Sequence, residues 1–210
     1  MIPLRDCIRS RTYPYVNVFL IGVTLAVYLW EAFLPQKELL ALVYAYGLVP
    51  ARVVEGVWLP LLTSIFLHGG WVHVIGNMWY LWVFGDNVED RLGHFRYLLF
   101  YLGAGTIGSA VQVLSNPLSQ VPVVGASGAV AGVLGAYLFL FPRARIETLL
   151  ILFVFITIVQ VPAVVFIFFW FLLQLFNGVA SLAGGLGQVA WWAHIGGFLG
   201  GIFLLFLLKD

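Results

Sequence analysis

The feature that most limits the fold of this chain is a series of apolar runs. Several of them reach about 20 residues, the length that a helix needs to cross the hydrocarbon core of a bilayer. Hydrophobic residues make up 62% of the 210-residue sequence and charged residues only 9%, whereas about a quarter of the residues in a soluble domain are charged. The sequence therefore predicts an all-α polytopic membrane protein, with residues 1–210 forming a single domain.

Charged and turn-forming residues divide the apolar sequence into six predicted membrane-spanning helices. Their approximate ranges are 14–34, 61–84, 97–114, 124–141, 148–175 and 189–208. The stretch 35–60 mixes prolines and charges with apolar residues, which predicts a segment lying at the membrane interface. We also expect a charged turn from Asp86 to Arg96, in which His94 is solvated, and a Gly/Ser/Ala-rich loop over 177–188.

Basic residues are distributed unequally between the two sides of this predicted topology. Six spans put both termini on one side of the membrane. The basic residues on that side are Arg5, Arg9, Arg11, Arg91, Arg96, Arg143, Arg145 and Lys209. The opposite side has only Lys37 and Arg52. Because loops rich in Lys and Arg remain in the cytoplasm, the asymmetry predicts that both termini are cytoplasmic.

Composition also excludes several classes of partner. The single cysteine, Cys7, rules out an internal disulfide and a metal site built from cysteines. The few basic residues sit at the ends of spans and form no patch, so nucleic acid is not an expected partner. We predict no cofactor. The lipid bilayer is the expected environment, and the sequence carries no signal for an oligomeric state.

A glycine-studded segment and a later histidine helix predict one close helix contact. The glycines of the first segment recur at steps of three, four and three residues: Gly125, Gly128, Gly132 and Gly135. On a helix this spacing makes a flat stripe that lets another helix approach closely in a membrane. Ser127 lies beside the stripe, and the small-residue segment 193–201 carries His194. We therefore expect the two helices to pack together and to bring His194 to Ser127.

The side chains expected at this contact suit nucleophilic catalysis. A serine hydroxyl needs a base to take its proton, and histidine is the usual base. Ser127 lies near a helix N-terminus, whose N–H groups can stabilise developing negative charge. His73 and Asn77 share one helical face, and both could complete an oxyanion hole with the Ser127 N–H. No acidic residue lies near either motif, so the prediction is a Ser-His dyad.

Each polar residue also has an ordinary structural interpretation. Serine is common at helix contacts in membranes, and a histidine that follows two tryptophans can be an interfacial anchor. His68 lies about 140° around the helix from His73, so we expect it to support the preceding loop instead. Gln160 and Gln174 are further polar residues in the fifth predicted span, and no role is assigned to them.

Three motifs together resemble those of the rhomboid intramembrane serine proteases of the compact six-span bacterial type. They are Gly125–Gly128, Ala193–Gly197 and His68–Asn77, in the family's order on spans four, six and two. The resemblance implies a six-helix rhomboid-like bundle in the bacterial inner membrane, with Ser127 as nucleophile and His194 as general base. It implies an oxyanion hole made by His73, Asn77 and the Ser127 N–H.

The resemblance also implies how such a protein would meet its substrates. Similar proteins hold the active site in a water-filled cavity below the outer surface, and their fifth span acts as a gate. They cleave single-span membrane proteins near the outer boundary. Two features depart from the family pattern. Ala131 stands where many members carry an aromatic residue under the catalytic histidine, and Trp58 is followed by Leu59 rather than by arginine.

Other functions fit the sequence less well. A membrane metalloprotease needs His-Glu-x-x-His, which is absent. An aspartyl protease needs two acidic residues within spans, and Asp86 opens the expected charged turn without a partner. A transporter or channel would place charged residues deep in its spans. The main alternative that stays open is a non-catalytic rhomboid-like binder or chaperone of membrane proteins.

Overall fold

The computed structural model describes residues 1–152, 155–182 and 189–209, and this part of the chain is mostly helical. Its helices are α1 (Tyr15–Phe33), α2 (Gln36–Tyr46), α3 (Pro50–Val54), α4 (Pro60–Thr63), α5 (Trp71–Leu92), α6 (His94–Ser115), α7 (Ser127–Leu140), α8 (Ala163–Leu182) and α9 (Trp191–Leu208). Its strands are β1 (Ile2–Asp6), β2 (Arg145–Leu152) and β3 (Phe155–Pro162).

Among the described residues, four helices are long and apolar enough to cross a membrane by length and composition. They are α1, α6, α8 and α9, while α7 is apolar but shorter. Helices α1, α6, α7 and α9 begin and end within three residues of the spans expected there. Helix α5 begins only at Trp71, because residues 64–70, which include Gly69 and Gly70, separate it from the short helix α4.

The prediction of a helical fifth span over 148–175 is wrong for the first half of this range. Residues 145–152 and 155–162 form an antiparallel strand pair, and α8 begins only after Pro162. The error has a physical reason, because a short, continuous apolar run rich in β-branched residues cannot be assigned to helix or strand from periodicity alone. The expected loop 177–188 also differs, since α8 extends to Leu182. Residues 183–188 of that loop lie outside the described residues.

The strands form a small antiparallel sheet in the order β1-β2-β3, which the all-α prediction missed. Side-chain hydrogen bonds of Arg5 and Asp6 connect β1 to the rest of the protein. The Arg5 guanidinium donates two hydrogen bonds, of 2.8 and 3.0 Å, to the Glu147 carboxylate on β2. The Asp6 carboxylate accepts hydrogen bonds from the Tyr137 hydroxyl at 2.5 Å and from the Asn87 amide at 2.8 Å. The polar N-terminal segment is therefore docked against the ends of α5 and α7.

The segment from Asp86 to Arg96 is not the charged turn that was expected. Helix α5 continues to Leu92, and α6 begins at His94. The Glu89 carboxylate is fully buried and accepts hydrogen bonds from the backbone N–H groups of Val16, at 3.0 Å, and Asn17, at 2.7 Å. These N–H groups belong to the first turn of α1 and have no partner within their own helix. His94 is likewise not simply solvated, because its Nδ1 lies 2.5 Å from the Glu89 carboxylate.

Glycines allow α7 and α9 to touch backbone to backbone, as the sequence predicted. A methyl group added to Gly132 would lie 3.1 Å from the Gly197 carbonyl oxygen and 3.5 Å from Gly201 Cα. Helix α6, which the sequence analysis did not include, joins the same contact. A methyl group on its Gly108 would lie 3.4 Å from Gly128 Cα. Gly125 is not part of the helical stripe, because it precedes α7 and has a φ of +134°.

The substitution Gly197→Ala tests this packing. Its methyl group would overlap the Gly128 carbonyl and lie 3.0 Å from Gly128 Cα. Because the obstacle is backbone, α7 and α9 must separate. We expect the free energy of unfolding in detergent to fall by about 1–3 kcal/mol, measured by thermal or denaturant unfolding. Gly22→Ala on α1 is the matched control, since a methyl group there meets nothing within 4 Å. Equal effects of the two substitutions would contradict the packing.

The substitution Asp6→Asn tests the docking of β1. Burial is the main cause that raises the pKa of Asp6 to about 6, against about 3.9 in an unfolded chain. A carboxyl group whose pKa is raised by folding stabilises the protein at low pH, and this contribution is lost as the pH rises from about 4 to about 6. We therefore expect the melting temperature of the wild type, relative to Asp6→Asn, to be higher at pH 4 than at pH 7. A difference that does not change with pH would contradict the pKa shift.

Candidate active site

Ser127 and His194 meet at the contact between α7 and α9. Ser127 is the first residue of α7, and His194 lies in the first turn of α9. The distance from Ser127 Oγ to His194 Nε2 is 2.7 Å, which is hydrogen-bonding distance. The glycine contacts described above set the separation of the two helices, so the short distance follows from the backbone packing.

Helix α8 contacts the edge of the His194 ring that faces away from Ser127. His194 Nδ1 lies 2.9 Å from Gln174 Oε1. The ring centroid of Trp170, one turn earlier on α8, is 6.2 Å from that of His194. Trp191 contacts the ring edge-on, with the centroids 5.9 Å apart. Gln174, Trp170 and Trp191 thus contact the imidazole from α8 and α9.

His73 and Asn77 lie against Gly125, two residues before Ser127. A methyl group added to Gly125 would lie 2.6 Å from His73 Cε1 and 3.7 Å from Asn77 Nδ2. The positive φ of Gly125 also disfavours any residue with a Cβ. Glycine therefore lets the chain that leads into α7 pass directly beside these two side chains of α5.

His68 links Asn77 to the start of α7, which the sequence analysis did not foresee. The buried imidazole has its Nε2 3.0 Å from Asn77 Nδ2, and the same nitrogen accepts the backbone N–H of Ala126 at 3.3 Å. Because both partners donate, Nε2 carries no proton and Nδ1 bears the hydrogen, a tautomer assigned from the hydrogen bonds. Nδ1 lies 3.4 Å from the Phe66 carbonyl oxygen. His68 thus holds both the loop before α5 and the residue before Ser127.

Glu31 is a second residue that the sequence analysis overlooked. Its carboxylate is buried on α1 and accepts the backbone N–H of His68 at 3.1 Å. A charged residue within a predicted span was the signal that could have identified it. Glu31 therefore anchors the backbone at His68.

A narrow cavity opens beside Ser127. Its lining includes Ser64, Ser109, Gly125, Ala190 and Ala193. Within the described residues, no three His, Cys, Asp or Glu side chains are grouped in a way that could hold a metal ion.

This arrangement can activate a hydroxyl group and stabilise an oxyanion. A bare His194 Nε2 can accept the Ser127 proton, which increases the nucleophilicity of Oγ. The backbone N–H groups at the start of α7 have no partner within the helix and lie at the positive end of its dipole. Negative charge that develops beside Ser127 would be stabilised by these groups.

The sequence is similar to those of several curated rhomboid proteins. The putative rhomboid protease YdcA of Bacillus subtilis is 38% identical over 134 residues, which cover 62% of this chain and 64% of YdcA. The rhomboid protease GluP of the same organism is 44% identical over 87 residues, or 41% of this chain and 17% of GluP. The mitochondrial rhomboid protein 1 of Saccharomyces cerevisiae is 30% identical over 203 residues, or 91% of this chain and 53% of that protein.

The chain thus spans less than two thirds of the length of each of these relatives. A family model of the rhomboid domain matches residues 55–210, a range that contains Ser127, His194, His73 and Asn77. The chain is an integral membrane protein that belongs to the rhomboid family.

Proposed function

We propose that this protein is an intramembrane serine endopeptidase that cleaves single-span membrane proteins near the outer membrane boundary. The observation that carries the proposal is the 2.7 Å distance between Ser127 Oγ and His194 Nε2 at the N-terminus of α7. Membership in a family whose curated relatives include named rhomboid proteases supports the same reaction. A non-catalytic binder or chaperone would have no need for a base held against a serine hydroxyl.

The reaction would proceed through an acyl-enzyme. Ser127 Oγ attacks the carbonyl carbon of the scissile peptide bond while His194 Nε2 takes the hydroxyl proton. His194 then returns this proton to the nitrogen of the leaving peptide as the C–N bond breaks. Water, deprotonated by His194 Nε2, then attacks the acyl carbon, and His194 returns this proton to Ser127 Oγ as the acyl C–O bond breaks and the second product leaves.

The tetrahedral oxyanion would be held by the Ser127 N–H, His73 and Asn77. Asn77 has two amide hydrogens, and His68 Nε2 accepts a hydrogen bond from one of them. The second hydrogen remains for the oxyanion, so His68 would orient the amide without competing with the substrate. The His73 ring beside Gly125 supplies a donor from the same face of α5.

The six-span topology is part of the proposal. We assign the spans to α1, α5, α6, α7, α8 and α9, within one membrane domain, and place both termini in the cytoplasm of a bacterial cell. Helix α7 has 14 residues and is therefore about 21 Å long, shorter than the ~30 Å hydrocarbon core. If α7 reaches the cytoplasmic face, its N-terminus ends below the outer surface. Ser127 would then meet a substrate helix beneath that surface.

Ser127→Ala is the direct test of the proposed reaction. We expect the purified wild type in lipid vesicles to cleave a labelled single-span protein with small residues near its outer boundary. We expect Ser127→Ala to lose this activity, because no nucleophile remains. Cleavage is measured by gel and by mass spectrometry of the products. Equal cleavage by both proteins would refute the serine mechanism, and binding of the substrate without cleavage would favour the binder or chaperone.

Asn77→Ala tests the oxyanion hole. Loss of one oxyanion donor costs about 10²-fold in kcat at the low end of measured cases. We therefore expect kcat to fall by about 10²-fold with little change in KM, because the donor acts on the transition state rather than on bound substrate. The melting temperature of the variant is measured in parallel, since the substitution also removes the contact with His68. Undiminished kcat would remove Asn77 from the mechanism.

A further inference from the structure

We propose that Gln174 positions His194 for general-base catalysis by fixing which of its ring nitrogens carries the proton. This inference rests on the proposed serine-protease function. Its geometric basis is the 2.9 Å distance from Gln174 Oε1 to His194 Nδ1, on the side of the ring opposite to Ser127. Ser127, His194 and Gln174 thus form a continuous hydrogen-bonded chain across three helices, α7, α9 and α8.

The orientation of the Gln174 amide is determined by a second hydrogen bond. Its Nε2 donates to the Trp170 carbonyl oxygen at 3.0 Å. A carbonyl oxygen only accepts, so the NH₂ group must face Trp170 and Oε1 must face His194. Oε1 in turn only accepts, so the proton of the neutral imidazole lies on Nδ1. Nε2 is then bare and able to accept the Ser127 proton.

The surroundings of Gln174 favour a specific role over a general polar contact. Its side chain is only 6% exposed, whereas Leu173 and Leu175 beside it are 43% and 39% exposed. The amide therefore faces the interior of the bundle, while its sequence neighbours face outward. A buried amide is costly unless its groups are paired, and here its oxygen is paired with the imidazole.

Helix α8 supplies the packing of the ring as well as its hydrogen bond. Trp170 lies one turn before Gln174 and contacts the His194 ring at a centroid distance of 6.2 Å. The aromatic rings that contact His194 among the described residues are those of Trp170 on α8 and Trp191 on α9. The orientation of the base therefore depends on how α8 docks against α9, and movement of α8 away from α9 would remove both contacts together. A neutral amide in this position has a counterpart in the Cys-His-Asn sites of papain-like proteases.

The experiment compares Gln174→Met, which has a similar shape but no acceptor oxygen, with Gln174→Glu, which keeps an acceptor. Both are measured for kcat and KM in lipid vesicles on the labelled single-span substrate. We expect Gln174→Met to lower kcat by about 10-fold or more with KM little changed, and Gln174→Glu to retain much more of the wild-type kcat. Ser181→Ala is the matched control on α8, because the Ser181 hydroxyl bonds only the Gly178 carbonyl of its own helix among the described residues.

Nitrogen-15 NMR of the His194 side chain gives a readout that a merely structural role would not change. We expect one neutral tautomer, protonated at Nδ1, in the wild type and in Ser181→Ala, and a mixture of tautomers in Gln174→Met. A wild-type kcat or an unchanged single tautomer in Gln174→Met would overturn the inference. Absence of Ser127-dependent cleavage by the wild type would instead refute the proposed function, while the tautomer measurement would still report on the contact with Gln174.

Discussion

The close approach of three helix backbones, α6, α7 and α9, is the constraint on which the candidate site depends. Lipid chains are as apolar as the side chains they meet, so helices associate in a membrane through tight packing rather than through the hydrophobic effect. Gly128, Gly132 and Gly197 remove the side chains that would hold α7 and α9 apart. Ser127 and His194 stand at one end of this contact and therefore share its rigidity.

The polar and aromatic groups around this contact form two sets, one on each side of Ser127 and His194. On one side, Glu31 and His68 fix the chain before α7 and the amide of Asn77. On the other side, α8 holds the His194 ring through Gln174 and Trp170. Ser127 and His194 thus connect the tightly packed pair α7 and α9 to α8, which contacts the His194 ring through the side chains of Gln174 and Trp170.

The elements of the site that could be predicted carry local sequence signals. Glycine spacing predicted the contact of α7 with α9, and polar residues within apolar spans indicated Ser127, His194, His73 and Asn77 as candidates for the site. The roles of neighbours depend on partners far along the chain, which is why Gln174 had no assigned role. The same limit explains the errors in the fold. The sequence of the strand pair β2 and β3 is as apolar as that of a membrane span. The Glu89 carboxylate accepts hydrogen bonds from backbone N–H groups of α1 that lie 72 and 73 residues away in the sequence.

Our main proposal is that the packing of α7 against α9 makes Ser127 a nucleophile activated by His194. Its most direct test is reaction of the protein in lipid vesicles with a fluorophosphonate, followed by mass-spectrometric mapping of the modified peptide. We expect a single adduct on Ser127 in the wild type and a large loss of that adduct in His194→Ala with the fold intact. Modification at other serines, or equal labelling of Ser127 without His194, would contradict it.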